Sequence, residues 1–299
     1  MSKRIVVLGA VGFVANTEMA AETLTKMNAV INFGPAACFM IAIIPLMMIR
    51  MTNAKGMENE KKLKEMHLSK LADEYNRQRN DIAYQNRSFD DRLYELVSAE
   101  YDSRYNNTVK RYIAKAEFSC ENANLNDVNY NPDRKLDRQM IESLRTNDYI
   151  ESQLNIIVIG ASGCGKTWLS CAFGVNACQS KYRVKYYRLP ELFSEFEAQK
   201  IQGKYRQYLS ALGKYDLLIL DEFLLTSTTT SERENLLELI ESRTNKKSTI
   251  YCSQWTPSGW HEKLGGGAVA DAILDRIINS SYMIELKGNS LREEYSRLK

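Results

Sequence analysis

Apolar positions recur at helical spacing through a highly charged stretch that begins at Glu58. The first group consists of Leu63, Met66, Leu71 and Tyr75. Ser88, with Asp91 three residues later, resembles a capping box and predicts that a second helix begins there. The apolar positions of this second helix are Phe89, Leu93, Leu96, Val97, Tyr101, Tyr105, Tyr112 and Ile113. The pattern predicts a helical domain over residues 57–118, and it favours a buried stripe over a surface for stacking nucleic-acid bases.

From residue 150 onward, short apolar runs alternate with helical patterns. The predicted strands are residues 156–159, 183–188, 217–220, 249–252 and 283–286. A helix is predicted over residues 232–244, with Ser231 and Glu234 as its capping box. Such alternation is typical of an α/β fold whose parallel sheet is covered by helices on both faces. The preceding residues 119–149 begin as an asparagine-rich stretch and are interpreted as a linker.

Residues 1–56 differ from the remainder of the chain. The segment 29–49 is almost wholly apolar, and about 20 such residues could just span a bilayer. A secretory signal is disfavoured because the apolar run starts late and lacks a small-residue cleavage site. The segment is therefore either a membrane anchor or upstream sequence joined to a protein that begins at Met57. The abrupt start of charged, periodic sequence at Glu58 favours the second alternative.

The richest chemical signal is residues 160–167, which form the pattern G-x-x-x-x-G-K-T between an apolar run and a potential helix. Loop N–H groups and a helix N-terminus converge on phosphate in such a strand–loop–helix unit. Lys166 would place a charge at the β- and γ-phosphates, and the Thr167 hydroxyl would bind Mg²⁺. The predicted nucleotide-binding residues are Gly160, Ala161, Ser162, Gly163, Cys164, Gly165, Lys166, Thr167 and Trp168.

A second chemical signal is the apolar run 217–220, which ends in Asp221 and Glu222. A buried parallel strand would bring Asp221 to its carboxyl end, beside the phosphate loop. Asp221 could there bind Mg²⁺ through water, since magnesium takes few carboxylates and several waters. Glu222 is placed to polarise an attacking water, which favours nucleotide hydrolysis over a kinase reaction.

Composition narrows the class of protein only slightly. The net charge of the 299 residues is +3, so any signal for a nucleic-acid partner must be local. The six cysteines form no C-x-x-C pair and are accompanied by only two histidines, which argues against a structural zinc site. A disulfide at Cys164 would stiffen or block the phosphate loop. This cysteine therefore predicts a reducing, cytoplasmic location.

Several motifs occur in the order seen in one family. Besides the phosphate loop, they are residues 88–97, 215–222, 248–254, 272–276 and 286–292. In these motifs the chain resembles the IstB-like transposition helpers, AAA+ ATPases related to the DnaC helicase loaders. The resemblance covers roughly residues 60 to 298 and leaves residues 1–56 unmatched.

The resemblance implies an AAA+ core that binds ATP and Mg²⁺ and works as a homo-oligomer. Gln254 matches the sensor-1 position, where the family usually has asparagine. Arg276 matches the arginine directed at a neighbouring subunit's γ-phosphate, and Arg292 matches the sensor-2 arginine. The catalytic residues so implied are Lys166, Glu222, Gln254, Arg276 and Arg292. The implied partners are duplex DNA and a transposase, or a replicative helicase if the chain is instead a DnaC-type loader.

A local basic signal lies between Lys181 and Lys214. Its cations are Lys181, Arg183, Lys185, Arg188, Lys200, Lys204, Arg206 and Lys214, and its tyrosines are Tyr182, Tyr186, Tyr187, Tyr205 and Tyr208. This basic stripe suits contacts with DNA phosphates, although charge alone equally fits a solvated helix face. A third hypothesis, a membrane-anchored ATPase without a role on DNA, depends wholly on residues 29–49.

Overall fold

The computed structural model describes residues 54–288 and the single position Ile43. The hydrophobic segment 29–49 and Arg292 therefore lie outside the described residues, apart from Ile43. Two compact units divide the chain between Ser103 and Arg104. In the described part of the chain, no helix is both long enough and apolar enough to cross a bilayer.

The first unit contains a helix over residues 54–65, helix α1 (Ser69–Asn80) and the first half of helix α2 (Phe89–Ala116). The predicted start of α2 is confirmed, because the Ser88 hydroxyl accepts the N–H of Asp91 at 3.1 Å. The Glu100 carboxylate accepts the N–H groups of Lys70 and Leu71 at the start of α1. A carboxylate at this end offsets the unpaired N–H groups of the first turn.

The predicted burial of the α2 stripe is wrong for the first half of the helix. Phe89, Leu93, Val97 and Tyr101 are exposed, with Phe89 at 69%. Helical periodicity identifies residues that share one face, but it does not show whether that face meets a partner. Farther along the same helix, Tyr112 and Ile113 do pack against the core of the second unit.

The second unit is built around a parallel sheet of five described strands in the order β2-β3-β4-β1-β5. The strands are β1 (Asn155–Gly160), β2 (Val184–Arg188), β3 (Leu217–Asp221), β4 (Ser248–Ser253) and β5 (Ser281–Leu286). The helices are α3 (Arg138–Arg145), α4 (Asp148–Glu151), α5 (Lys166–Gln179), α6 (Leu189–Ile201), α7 (Tyr205–Leu212), α8 (Thr230–Arg243), α9 (Pro257–Lys263) and α10 (Gly267–Ile278). The predicted α/β fold class is confirmed.

Alternate residues of the strands enter cores on opposite faces of the sheet. On β3, Leu217 and Ile219 pack with α5, whereas Leu218 and Leu220 pack with α6, α8 and α10. All four side chains are at most 1% exposed. Coverage on both faces explains why β3 appears in the sequence as a continuous apolar run.

The segment interpreted as a linker is part of this core. Ala123, Leu125, Ile141 and Leu144 are each at most 3% exposed and belong to the cluster on the α5 face. Short 3₁₀ turns at Leu125–Asp127 and Pro132–Arg134 lead into α3. The Asn124 side chain caps the first turn, and the Asn129 side chain accepts the N–H of Asn131 just before the second. A composition typical of a flexible loop therefore forms fixed structure here.

Helix α8 begins earlier than predicted and has a different capping box. Thr229 accepts the N–H of Glu232, and the Glu232 carboxylate accepts the N–H of Thr229 at 2.7 Å. The predicted pair, Ser231 and Glu234, lies within the helix instead. Both pairs have the same spacing, so the motif alone did not determine which pair forms the cap.

Candidate functional site

The phosphate loop joins β1 to α5, as the sequence predicts. A Cβ on Gly160 would lie 2.4 Å from the carbonyl oxygen of Leu286, so only glycine allows this approach to β5. Gly165 has a φ of 94°, a conformation that favours glycine, and α5 begins immediately after it. The first N–H groups of α5 have no acceptor within the helix and are directed at the loop.

Lys166 is buried at the base of this loop. Its Nζ donates to the carbonyl oxygens of Gly160 and Ala161, both at 2.8 Å. Two of the three ammonium protons are therefore bound by the loop itself. This arrangement places a positive charge beside backbone N–H groups, which is the environment a polyphosphate requires.

Asp221 lies at the carboxyl end of β3 and is 4% exposed. Its Oδ2 accepts the Thr167 hydroxyl at 2.6 Å and the Tyr186 hydroxyl at 2.9 Å. Its Oδ1 accepts the backbone N–H of Glu222 at 2.8 Å. Thr167 and Asp221, two candidate magnesium ligands far apart in sequence, are thus in direct contact.

Glu222 lies beside Asp221 with a φ of 53°. Both of its carboxylate oxygens accept from Nη2 of Arg188, at 2.7 and 2.9 Å. This carboxylate, followed by that of Glu191, raises the pKa of Arg188 above its ordinary value. Arg188 was predicted to belong to the basic stripe, but its guanidinium is paired with Glu222 inside the site.

Gln254 directly follows β4, which lies between β1 and β3 in the sheet. The strand order therefore brings the phosphate loop, Gln254 and the carboxylates Asp221 and Glu222 to one edge. All of them line a cleft of about 790 Å³. Beneath Gln254, the Ser253 hydroxyl donates to the carbonyl of Phe223 and accepts the indole N–H of Trp260.

The opposite wall of the cleft comes from the segment interpreted as a linker. The residues that line it there are Ser119, Cys120, Asp127, Asn129 and Arg134. Nη2 of Arg134 also donates to the carbonyl oxygen of Cys164 within the phosphate loop. Sequence reasoning missed this wall, because no motif marks residues that reach the site only through the packing of α3 and its preceding turns.

Arg276 does not lie among the described residues that line this cleft. Its Nη1 donates to the carbonyl of Ala272, and its Nη2 donates to the Glu241 carboxylate at 2.9 Å. On the same helix, Ile273 and Ile277 are fully buried, whereas Val269 is 37% exposed. The structure therefore separates Arg276 from the other predicted catalytic residues that it describes.

The basic stripe is only partly a free surface. Lys185 is buried and bonded to Glu117, while Arg183 and Lys200 form ion pairs with Asp216 and Glu197. Lys204, Arg206 and Lys214 are exposed and have no carboxylate partner among residues 54–288.

The tyrosines of the stripe are mostly engaged inside the protein. The hydroxyl of Tyr205 donates to Glu238, and that of Tyr208 donates to Tyr187. Both rings make edge contacts with Phe196, and Tyr186 is bonded to Asp221. These rings therefore pack within the fold and do not form a stacking surface.

The chain is a P-loop nucleotide-binding protein. A glycine loop joins a strand to a helix, and carboxylates lie beside this loop at the same edge of a parallel sheet. The family model of the IstB-like ATP binding protein matches residues 61–298, and the chain belongs to this family. Membership confirms ATP as the predicted nucleotide and agrees with the predicted ATPase activity.

Two curated relatives come from Sinorhizobium fredii (strain NBRC 101917 / NGR234). The putative insertion sequence ATP-binding protein y4pL is 37% identical over 202 residues, which are 68% of this chain and 82% of that protein. Its counterpart y4uH is 32% identical over 230 residues, 77% of this chain and 92% of that protein. Among solved structures, the DnaC helicase loader is 20% identical with a TM-score of 0.47, covering 56% of this chain and 97% of that one.

Proposed function

We propose that this chain is an ATP-dependent helper of transposition that assembles on duplex DNA and hydrolyses ATP at the interfaces between its subunits. The supporting observation is the position of Arg276, outside a cleft that otherwise contains the described residues expected to bind and hydrolyse ATP. In this proposal the cleft, which Arg276 of its own chain does not line, is completed by Arg276 of a neighbouring subunit. The insertion-sequence relatives support the connection with transposition.

Within one subunit, Lys166 and the N–H groups of the loop bind the phosphates of ATP. Thr167 and Asp221 offer the hard oxygen donors that Mg²⁺ takes, and they already lie 2.6 Å apart. Magnesium would neutralise charge on the β- and γ-phosphates. These donors fit the role of Thr167 as a direct ligand and of Asp221 as an acceptor for metal-bound water.

Hydrolysis requires a group that orients water and accepts its proton. Glu222 has that role in this proposal, and Gln254 lies across the same edge to orient the water with its amide. The bond between Glu222 and Arg188 has to open first, because Arg188 occupies both carboxylate oxygens. The arginine that approaches the γ-phosphate is Arg276 of another subunit, where a guanidinium stays charged and offers a planar pair of donors.

The DNA-binding surface in this proposal consists of Lys204, Arg206 and Lys214, at the two ends of α7. Lys204 and Arg206 lie at its N-terminus, where no acidic residue is present and a cation opposes the helix dipole. Helix stability therefore does not account for these charges. Lys214 also lines a smaller cleft with Lys115, which extends the basic surface.

The test measures duplex binding by fluorescence anisotropy at several salt concentrations. Replacing Lys204, Arg206 and Lys214 together by glutamine should weaken binding to every duplex and reduce the log–log salt slope by about 0.9 for each lost phosphate contact. The control replaces Lys61, Lys62 and Lys64 by glutamine, which removes the same net charge from a different exposed helix.

Equal affinity and slope in the two variants would contradict the assignment of this surface. Failure of the unmodified protein to bind duplex DNA, with or without ATP, would contradict the helper hypothesis itself. The remaining alternative would then be a loader that recognises a replicative helicase. A transposase in the adjacent reading frame would instead favour the helper.

A further inference from the structure

The hydrogen bonds around Asp221 leave little freedom to its carboxylate. An ionised carboxylate offers about four acceptor positions, two on each oxygen. Thr167 and Tyr186 occupy both positions on Oδ2, and the N–H of Glu222 occupies one position on Oδ1. A single position remains, on Oδ1, and it is the one available to a water bound to magnesium.

Tyr186 differs from the other two donors because nothing else in the proposed mechanism requires it. It lies on β2 opposite Ile219 of β3. Ile219 is two residues before Asp221, so the side chains of these residues share one face of the sheet. The residue is 7% exposed and lies at the wall of the nucleotide cleft. Its hydroxyl donates to Oδ2 of Asp221 at 2.9 Å.

The Tyr186 hydroxyl also influences the direction in which the Thr167 hydroxyl points. With both positions on Oδ2 filled, the Thr167 proton is directed at Asp221 and the oxygen lone pairs of Thr167 are left for a metal ion. If Tyr186 lost its hydroxyl, the carboxylate could rotate and share its oxygens differently among Thr167, Glu222 and water. Groups that orient metal ligands in this way commonly contribute on the order of 10-fold to metal affinity.

We infer that Tyr186 is a positioning residue for magnesium: its hydroxyl fixes the Asp221 carboxylate in the one orientation that directs Thr167 and a water molecule toward the metal. This inference rests on the proposed role of Asp221 in binding Mg²⁺ through water. Tyr186 lines the cleft, but its hydroxyl donates to Asp221, so its proposed effect on the metal acts through that carboxylate.

The experiment titrates Mg²⁺ against the affinity for a fluorescent ATP analogue, so that its readout does not depend on turnover. Tyr186→Phe should leave the magnesium-free affinity unchanged and raise the Mg²⁺ concentration at half-effect on the order of 10-fold. Tyr187→Phe is the matched control, because it removes a neighbouring tyrosine hydroxyl on β2 whose partner is Tyr208. Its Mg²⁺ requirement should equal that of the unmodified protein.

A second variant replaces Tyr186 by p-aminophenylalanine, introduced by stop-codon suppression, which keeps the ring and a donor at the same position. It should restore the Mg²⁺ requirement toward the original value. The inference is overturned if Tyr186→Phe matches Tyr187→Phe, or if the amino variant behaves as Tyr186→Phe does.

Asp221→Asn separates this inference from the proposed function on which it rests. If Asp221→Asn raises the Mg²⁺ requirement and Tyr186→Phe does not, the role of Asp221 stands and that of Tyr186 is wrong. If Asp221→Asn leaves the requirement unchanged, both roles are wrong.

Discussion

Three polar side chains that face the nucleotide cleft already have partners within the protein. Lys166 is bonded to loop carbonyls, Thr167 to Asp221, and Glu222 to Arg188. Binding and hydrolysis of ATP therefore proceed by exchange of partners, and the cost of freeing a group differs from one residue to the next. The Glu222 bond is the most exposed of the three, which makes it the easiest to open.

Glu222→Gln should separate ATP binding from hydrolysis. Glutamine keeps the shape of the side chain but cannot accept a proton from water, so the affinity for ATP should persist while turnover falls by on the order of 10²–10⁴. Nucleotide titration and phosphate release measure the two quantities.

The control for this variant is Glu191→Gln, because Glu191 is also bonded to Arg188 but does not line the cleft. Turnover in Glu191→Gln should stay near that of the unmodified protein. Equal phosphate release in Glu222→Gln and the unmodified protein would exclude Glu222 as the base.

At the scale of helices and strands, the sequence was most informative where burial alone determined which residues form an element. The central strands β1, β3 and β4 are buried along their length and contain runs of apolar residues, and all five described strands could be predicted to within a few residues. The sequence did not predict that one face of α2 is exposed, nor that Asn129 and Arg134 form a wall of the cleft. Both features depend on which surfaces meet in three dimensions. The role of Tyr186 was hidden for the same reason, since its partner is on a different strand.

Helix α5 should contribute to the alkaline sensitivity of the fold. Burial raises the pKa of the Cys171 and Cys178 thiols to about 12, from an ordinary value of 9.0. The unfolded chain releases these protons near pH 9, whereas the folded chain retains them. Their stabilising contribution is therefore complete below pH 9 and is lost as the pH rises toward 12.

The free energy of unfolding in urea should accordingly fall between pH 9 and 11. The double variant Cys171→Ala, Cys178→Ala should be less stable at neutral pH, because it leaves cavities, but should show a shallower fall over this range. Cys120→Ala is the control, since Cys120 is only half-buried. An unchanged slope in the double variant would contradict the prediction.

At the scale of the whole molecule, the main question is whether one chain contains a complete site. Arg276 is bonded to Glu241 outside the cleft, and the sheet brings the other described residues to a single edge. Neither fact follows from motif spacing, because the motifs give the order of the residues along the chain and not the subunit in which each one acts.

Arg276→Ala should therefore bind ATP but lose hydrolysis. Lys166→Ala should lose ATP binding, because the loop then has no side-chain cation. A mixture of the two variants should recover part of the activity, since one kind of mixed interface combines an intact loop with an intact arginine. Phosphate release as a function of protein concentration measures this. Turnover that is independent of concentration, with no recovery on mixing, would indicate a site complete within one chain.

The attachment of the phosphate loop on both sides has a consequence for the entropy of ligand binding. Gly160 lies against the carbonyl of Leu286, and Arg134 donates to the carbonyl of Cys164. Ordering a residue costs about 1–2 kcal/mol of conformational free energy. For residues 161–165 this cost is met when the protein folds. The free energy of phosphate contacts can then appear as affinity, because little of it is consumed in ordering the loop.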